Sequence, residues 1–434
     1  MRNRKYDSRT MRKPVNKPEK TASAASSFAP AASAQTLPGF THSRAQFEEL
    51  ADAAMSHARK LGASDVAADV SESAGLSVSA RQGELETVEH SLDKSLAVTV
   101  YIGHKSGSAS TCDFSPQAVR QTVQAAYDIA RYITEDPASG LPDEADVAGP
   151  QAASLDLDLF HPWNPSVEQA LALALACEQA ALQTSPHISN SEGAGVSAQQ
   201  SHFFSAHSHG FRGGYASSRH SFSVSVIAGQ GDAMQRDGWF SAERNAARLA
   251  SPEAVGRYAA ERALSRVGAR KISTRECPVL FEAPLAAGLL GHFVQAVSGG
   301  ALYRKNTFLA GSLGQPVFAG HVEITENPFI PGGRGSAPFD GEGVRVTPRQ
   351  VVQAGRVAGY FLGSYSARKL GMKTTGNAGG SHNLRLYSRQ TSAQDDLPAM
   401  LQKLGTGLFG VDPAADGQAA HRAWQCWCGQ LHEG

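Results

Sequence analysis

From Ser43 the apolar positions fall into a helical repeat. Phe47, Leu50, Ala54, Ala58 and Leu61 share one face, and Ser43 with Gln46 three residues on has the pattern of a capping box. Gly62 is placed to close that helix in a left-handed cap. The period then changes to two. Leu76, Val78 and Ala80 alternate with serine and arginine, and Leu96, Val98, Val100 and Ile102 alternate strictly until Gly103. Ser115-Pro116 opens a second helix with Val119, Val123, Ala126, Ala130 and Ile133 along one face. Helix, paired strands and helix predict an α+β domain over 41–134 with an antiparallel sheet.

Residues 135–165 are rich in Pro, Asp and Gly and read as a linker or extended strap. A middle domain over 166–272 follows. Ser166 and Gln169 start its first helix, and short strands with glycine turns are expected across 190–248. Ser251-Pro252 opens its last helix, with Val255, Ala259 and Ala263 aligned. A third domain, 273–409, holds one expected helix, Pro284 to Ser298, and otherwise strands and glycine turns. Residues 1–40 show no periodicity and read as a disordered tail, basic at first and then Ala/Ser-rich. That tail is either a basic arm for an acidic partner or a solvated extension, with Met11 as another possible start.

Composition narrows the class. The chain has 434 residues, enough for two or three domains, and 41% of them are hydrophobic, enough for real cores. A formal net charge of zero gives no electrostatic reason to expect nucleic acid. No apolar run approaches the roughly 18 residues a membrane span needs. Five scattered cysteines read as reduced thiols of a cytoplasmic protein rather than a disulfide framework.

Four sets of residues invite a chemical reading. His202, His207, His209 and His220 crowd a short stretch, and His207 and His209 would share a strand face. No carboxylate or cysteine joins them at ligand spacing, so solvated strand histidines are the commoner reading. Ser312 in AGSLG and Ser381 in GGSHN, beside His382, lack the strand-turn-helix context of a nucleophile elbow. The third-domain helix carries a lone His292 with no acid beside it, which is more often a packed residue than a ligand. Asp340 and Glu342 in PFDGEGV could act together on a cation or a proton; the Asp-Gly pair equally predicts a turn. Arg304 and Lys305 in ALYRK could hold a peptide carboxylate or be ordinary surface charges.

The motifs CPVLFEAPLAAGLLGHFVQAVSGGALYRKNTFL, PFDGEGV, SYSARKLGMKTTGNAGGSHN and LPAMLQKLGTGL closely resemble the PmbA (TldE) branch of the TldD/PmbA metallopeptidase family. The likeness extends back through YIGHKSGSASTCDFS and LGASDVAADV, about residues 45–409. It implies an α+β fold: an N-terminal α+β domain, a middle domain and a β-rich, barrel-like C-terminal domain. It also implies a cytosolic zinc metallopeptidase assembled with a TldD-type subunit. Such complexes degrade unfolded peptides, mature microcins, and are linked to DNA gyrase control through an antitoxin substrate. In the TldD branch the equivalent helix reads HExxxH. Here the matching positions are Gly291, His292 and Ala296. Glycine and alanine have no side-chain donor, so the resemblance places zinc on the partner and transfers no metal ligand or catalytic residue to this chain.

After Phe409 the chain departs from the family's glycine-rich ending, and 410–434 reads as an atypical tail. Trp424 to Cys428 holds two of four tryptophans and two of five cysteines, which points to a shifted reading frame or truncation that leaves the third domain incomplete. The competing reading is a CxC element at Cys426 and Cys428, although two thiolates do not complete a tetrahedral site. The expected function is therefore a peptide-handling subunit without its own zinc. The alternative is a stand-alone peptide-binding or chaperone-like module.

Overall fold

The computed structural model describes residues 35–269 and 272–410. Most of the first 40 residues and Cys426 and Cys428 lie outside that range. Helix α1 (Arg44–Leu61) has the expected capping box: the Ser43 side chain accepts from the Gln46 amide while Gln46 caps the Ser43 amide. Gly62 ends it with φ 98°. Strands β1 (Asp65–Arg81), β2 (Glu84–Ile102) and β3 (Lys105–Thr111) form an antiparallel meander, followed by α2 (Pro116–Tyr132). The strap carries the short α3 (Pro150–Ala153), and α4 (Val167–Gln183) follows it.

The region expected to hold short strands contains long ones. Strand β4 (Ile188–His207) runs 20 residues and β6 (Ala216–Ala228) runs 13, joined through β5 (Arg212–Gly213). Strand β7 (Gln235–Glu243) and helix α5 (Pro252–Ser265) complete the segment. The sequence signal was weak because serine and glutamine fill the alternate positions; cross-strand hydrogen bonds carry these strands well past the usual length. Strand β1 pairs with β4 from Ala67↔His207 to Ala80↔Ala194. The strands before and after the strap are thus one sheet, ordered β3-β2-β1-β4-β6-β7 with β5 beside β4.

Helices α1, α2, α4 and α5 cover one face of this sheet. Helices α1 and α2 sit on Val66, Val70, Leu96, Val98 and Phe204, while α4 and α5 sit on Leu76, Val78, Val196, Phe222 and Val224. Alternation leaves the other face polar: Ser71, Ser73, Ser77 and Ser79 on β1, Ser197, Gln199, Ser201 and Ser205 on β4, Ser217, Ser221, Ser223 and Ser225 on β6.

The third segment contains β8 (Val279–Phe281), α6 (Ala283–Ala296), α7 (Gly299–Tyr303), β9 (Val322–Asn327), β10 (Arg349–Gln353), β11 (Arg356–Val357), α8 (Ser364–Leu370), β12 (Asn383–Ser388), α9 (Leu397–Leu404) and β13 (Leu408–Gly410). The barrel-like expectation fails here. The strands form an open four-stranded sheet, β11-β10-β9-β12, and a separate parallel pair, β8 with β13. Closure needs enough tilted strands for the last to bond the first, and a sheet ending on a two-residue strand cannot curl that far. The core is filled instead by Phe293 and Val297 at the end of α6 against Ile324, Val351, Val352 and Phe361. The α+β class itself stands.

Candidate functional site

A cleft of about 330 Å³ lies between the polar sheet face and the third segment. Asp69, Phe203, Ser205, Tyr215 and Ser217 line it from the sheet; Arg244, residues 334–341 and residues 378–382 line it from above. An aromatic contact joins the two sides: Phe339 packs edge-on against Phe211 (4.8 Å between centroids) and Tyr215 (5.7 Å).

The PFDGEGV segment builds one wall. Asp340 accepts from the amides of Glu342 and Val344 through Oδ1 and from the Ala378 amide through Oδ2, each at 2.9 Å. One carboxylate therefore closes the Asp-Gly turn and fastens the Gly376–Gly380 loop to it. Burial outweighs the three amide donors and pushes its carboxyl up to about 6, with the Glu342 charge adding in the same direction. Glu342 instead accepts from the Ser364 amide at the start of α8 (2.9 Å). The two carboxylates have separate structural partners, so the turn reading accounts for both. Asp69 keeps solvent contact on the cleft floor, yet the crowding walls push its carboxyl up against a hydrogen bond from Ser205.

His382 also reaches the cleft. Its amide and Nδ1 both bond Glu326 Oε1, at 2.7 and 3.0 Å. Glu326 is 1% exposed and also accepts from Asn377 Nδ2 (2.8 Å) and Arg349 Nε (2.6 Å). Burial opposes ionisation there, but the His382 and Arg349 bonds and charge win and hold the carboxyl down to about 2. Glu326 and Arg349 carried no motif, and Asn377 lay in one without being singled out; Glu326 is 51 residues from Asn377 and 23 from Arg349. Ser381 also lines the cleft, but His382 is committed through Nδ1 to a carboxylate rather than to that serine.

The other histidines do not converge. His202 packs on Phe47 and bonds buried Glu72, which also gathers the Thr41 and His42 amides before α1. His220 bonds the His161 carbonyl (2.8 Å) beside Trp163. His207 ends β4, and burial, with His209 nearby, lowers its pKa to about 4. His209 leaves the strand and bonds Asp65 (3.1 Å) and the Pro142 carbonyl (2.7 Å). Ser312 is a buried turn residue between Leu309 and Gln315. Arg304 donates to the Tyr303 hydroxyl, and Lys305 occupies a left-handed turn after α7. Among the described residues no three His, Cys, Asp or Glu groups come together as a metal site. On α6, Gly291 faces open space, and neither it nor Ala296 offers a donor. The residues present do not fit zinc at this helix. No described helix is long and apolar enough to cross a membrane.

Three family profiles match in order: PmbA/TldA metallopeptidase domain 1 over 66–130, the central domain over 160–267 and the C-terminal domain over 274–419. The metalloprotease PmbA of Escherichia coli O157:H7 is 44% identical over 351 residues, covering 81% of this chain and 76% of that protein. A PmbA homologue of Haemophilus influenzae is 42% identical over 377 residues, 86% of this chain and 82% of its own. Two solved structures share the fold. A proposed modulator of DNA gyrase from Bacteroides thetaiotaomicron superposes with a TM-score of 0.77 at 23% identity, covering 83% of this chain and 81% of that one. TldE from Thermococcus kodakarensis gives 0.67 at 17%, covering 85% and 83%.

Proposed function

The chain belongs to the PmbA/TldD metallopeptidase family, and from that premise we propose that it is the peptide-holding subunit of a heteromeric peptidase whose zinc sits on a TldD-type partner. One observation carries the reading. Helix α6 stands at the position the resemblance gives to the zinc helix, yet its ligand positions are Gly291 and Ala296, with no donor atom at either. No hydrolytic step is assigned to this chain. Its own contribution is binding and orientation: a serine-rich sheet face and a cleft whose wall is fixed by Asp340 and Glu326. Hydroxyls rotate to donate or accept, so such a face suits the alternating amides and carbonyls of an extended, unfolded peptide of varied sequence. Proteolysis of unfolded or ribosomally made peptides in the cytoplasm is the activity that fits.

The test is reconstitution with the full chain. Purified alone, it is expected to hold no stoichiometric zinc and to leave an unstructured peptide intact; mixing with a TldD-type chain is expected to give a stable complex that cleaves it. Stoichiometric zinc with cleavage by this chain alone overturns the reading. Peptide binding without association with a TldD-type chain favours the stand-alone binding module instead.

A further inference from the structure

Beside the cleft lies a smaller hollow of about 60 Å³ that shares Arg244 and Arg334 with it and adds Arg219. Arg219 and Arg334 are exposed and Arg244 is half-buried. Arg244 donates to the carbonyls of Gly333 (3.2 Å), Ser218 (3.3 Å) and Arg334 (3.0 Å). Arg334 donates to the Ala242 carbonyl. These bonds place the guanidiniums without cancelling their charge. A guanidinium has five N–H donors, so Arg244 keeps two and Arg334 keeps four for another acceptor. Glu243 also lines the hollow but forms an ion pair with none of the three among the described residues. Burial lowers the Arg244 pKa, Tyr215 opposes that, and the Arg219 charge lowers it further.

The cleft's solvent-facing acid is too far from Arg219 to neutralise it. Asp69 lies opposite Ser205, and Arg219 lies opposite Gln199, six positions along the same strand β4. At about 3.3 Å per residue that is on the order of 20 Å, more than twice the Debye length of about 8 Å in physiological salt. Three like charges held together repel, and a bound anion relieves that repulsion. A hollow of about 60 Å³ has room for a carboxylate.

We infer that Arg219, Arg244 and Arg334 form a carboxylate subsite that holds the free C-terminus of an extended peptide lying along the serine-rich face. The inference rests on the peptide-holding reading and gives it a polarity. The peptide's last residue sits at the arginines, and its preceding residues run over Ser217 and Ser201 toward Ser205 and Asp69. A peptide of about six residues spans that distance. Planar guanidiniums suit a carboxylate because they can offer paired N–H donors to its two oxygens.

The test uses the full chain and a labelled, unstructured peptide of about eight residues, long enough for the roughly 20 Å path. It is made in three forms: free C-terminal acid, C-terminal amide, and amide with glutamate as its last residue. Fluorescence anisotropy is expected to show the acid binding about tenfold more tightly than either amide. The variant Arg219→Gln, at the one arginine of the three that does not line the cleft, is expected to remove most of that difference and leave amide affinity unchanged. Equal affinity for acid and amide, full affinity for the glutamate amide, or no binding of any form overturns the subsite. An acid–amide tie leaves the subunit reading standing, because that reading is decided by zinc content and cleavage in the reconstituted pair.

Discussion

Glu326 shows how one side chain can organise a wall. It receives four hydrogen bonds from His382, Asn377 and Arg349 while almost wholly buried. Glutamine in its place presents an amide N–H to donors that need an acceptor. Glu326→Gln is expected to cost about 3–5 kcal/mol in urea denaturation at neutral pH. The pH dependence has a definite sign. The folded carboxyl titrates near 2 against an ordinary 4.5, so the unfolded chain binds more protons between those values. Its stabilisation is complete above about pH 5 and drains as pH falls from 4.5 toward 2, by about 3 kcal/mol in all. The variant is expected to lose that part of the acid slope. At this scale the sequence was partly legible. Asp-Gly announced the Asp340 turn, and His382 was visible beside Ser381. Glu326 and Arg349 were not singled out by the sequence, because their burial and partners come from distant chain.

The elements themselves were read well where local chemistry decides them. Ser43, Ser115, Ser166 and Ser251 all cap helices, each accepting from the amide three residues on. Helix packing was less visible. Gly256 in α5 lies so close to α4 that a Cβ would collide with the Cys177 carbonyl and sit 3.0 Å from the Ala181 amide. Gly256→Ala raises intrinsic helix propensity, yet it is expected to destabilise the protein by about 1–3 kcal/mol because two backbones must separate. A thermal melt checks the sign: propensity alone predicts a rise. The open edge of β2 is also an element-scale property. Strand β3 pairs only with Leu96–Ile102, so the edge over Glu84–Ser95 has no strand beside it among the described residues. Glu84, Glu86, Glu89, Asp93 and Lys94 place charges along it, a usual guard against edge-to-edge association.

Across the whole molecule the strap joins the third segment to the sheet. Tyr365 and Lys369 of α8 bond Asp136 at 2.8 and 2.7 Å, and Arg368 reaches the carbonyls of Ala138, Gly140 and Leu141 and the Asp143 carboxylate. Val147 bridges Val344. Arg368→Ala removes several of these bonds at once without opening either main core. It is expected to speed amide hydrogen exchange in the strap and in α8 several-fold while exchange in β1 and β4 stays unchanged. The cleft is formed between the parts this strap links, so weaker peptide binding should accompany the faster exchange.

The sequence by itself determined helices α1, α2, α4, α5 and α6, the serine caps of the first four, the two-residue alternation and the family, because these depend on neighbours three or four residues away or on contiguous motifs; it missed the short α7, α8 and α9 of the third segment. It also determined that α6 lacks zinc donors, since Gly291 and Ala296 carry none in any fold. Only the tertiary structure decided that β1 and β4 join two segments into one sheet, that the third segment stays open rather than closing into a barrel, and that four neighbouring histidines part company. It alone brought Arg219, Arg244 and Arg334 to one rim. Strand pairing and charge clustering are set by contacts between residues far apart in sequence, and local pattern carries no record of which distant surfaces will meet.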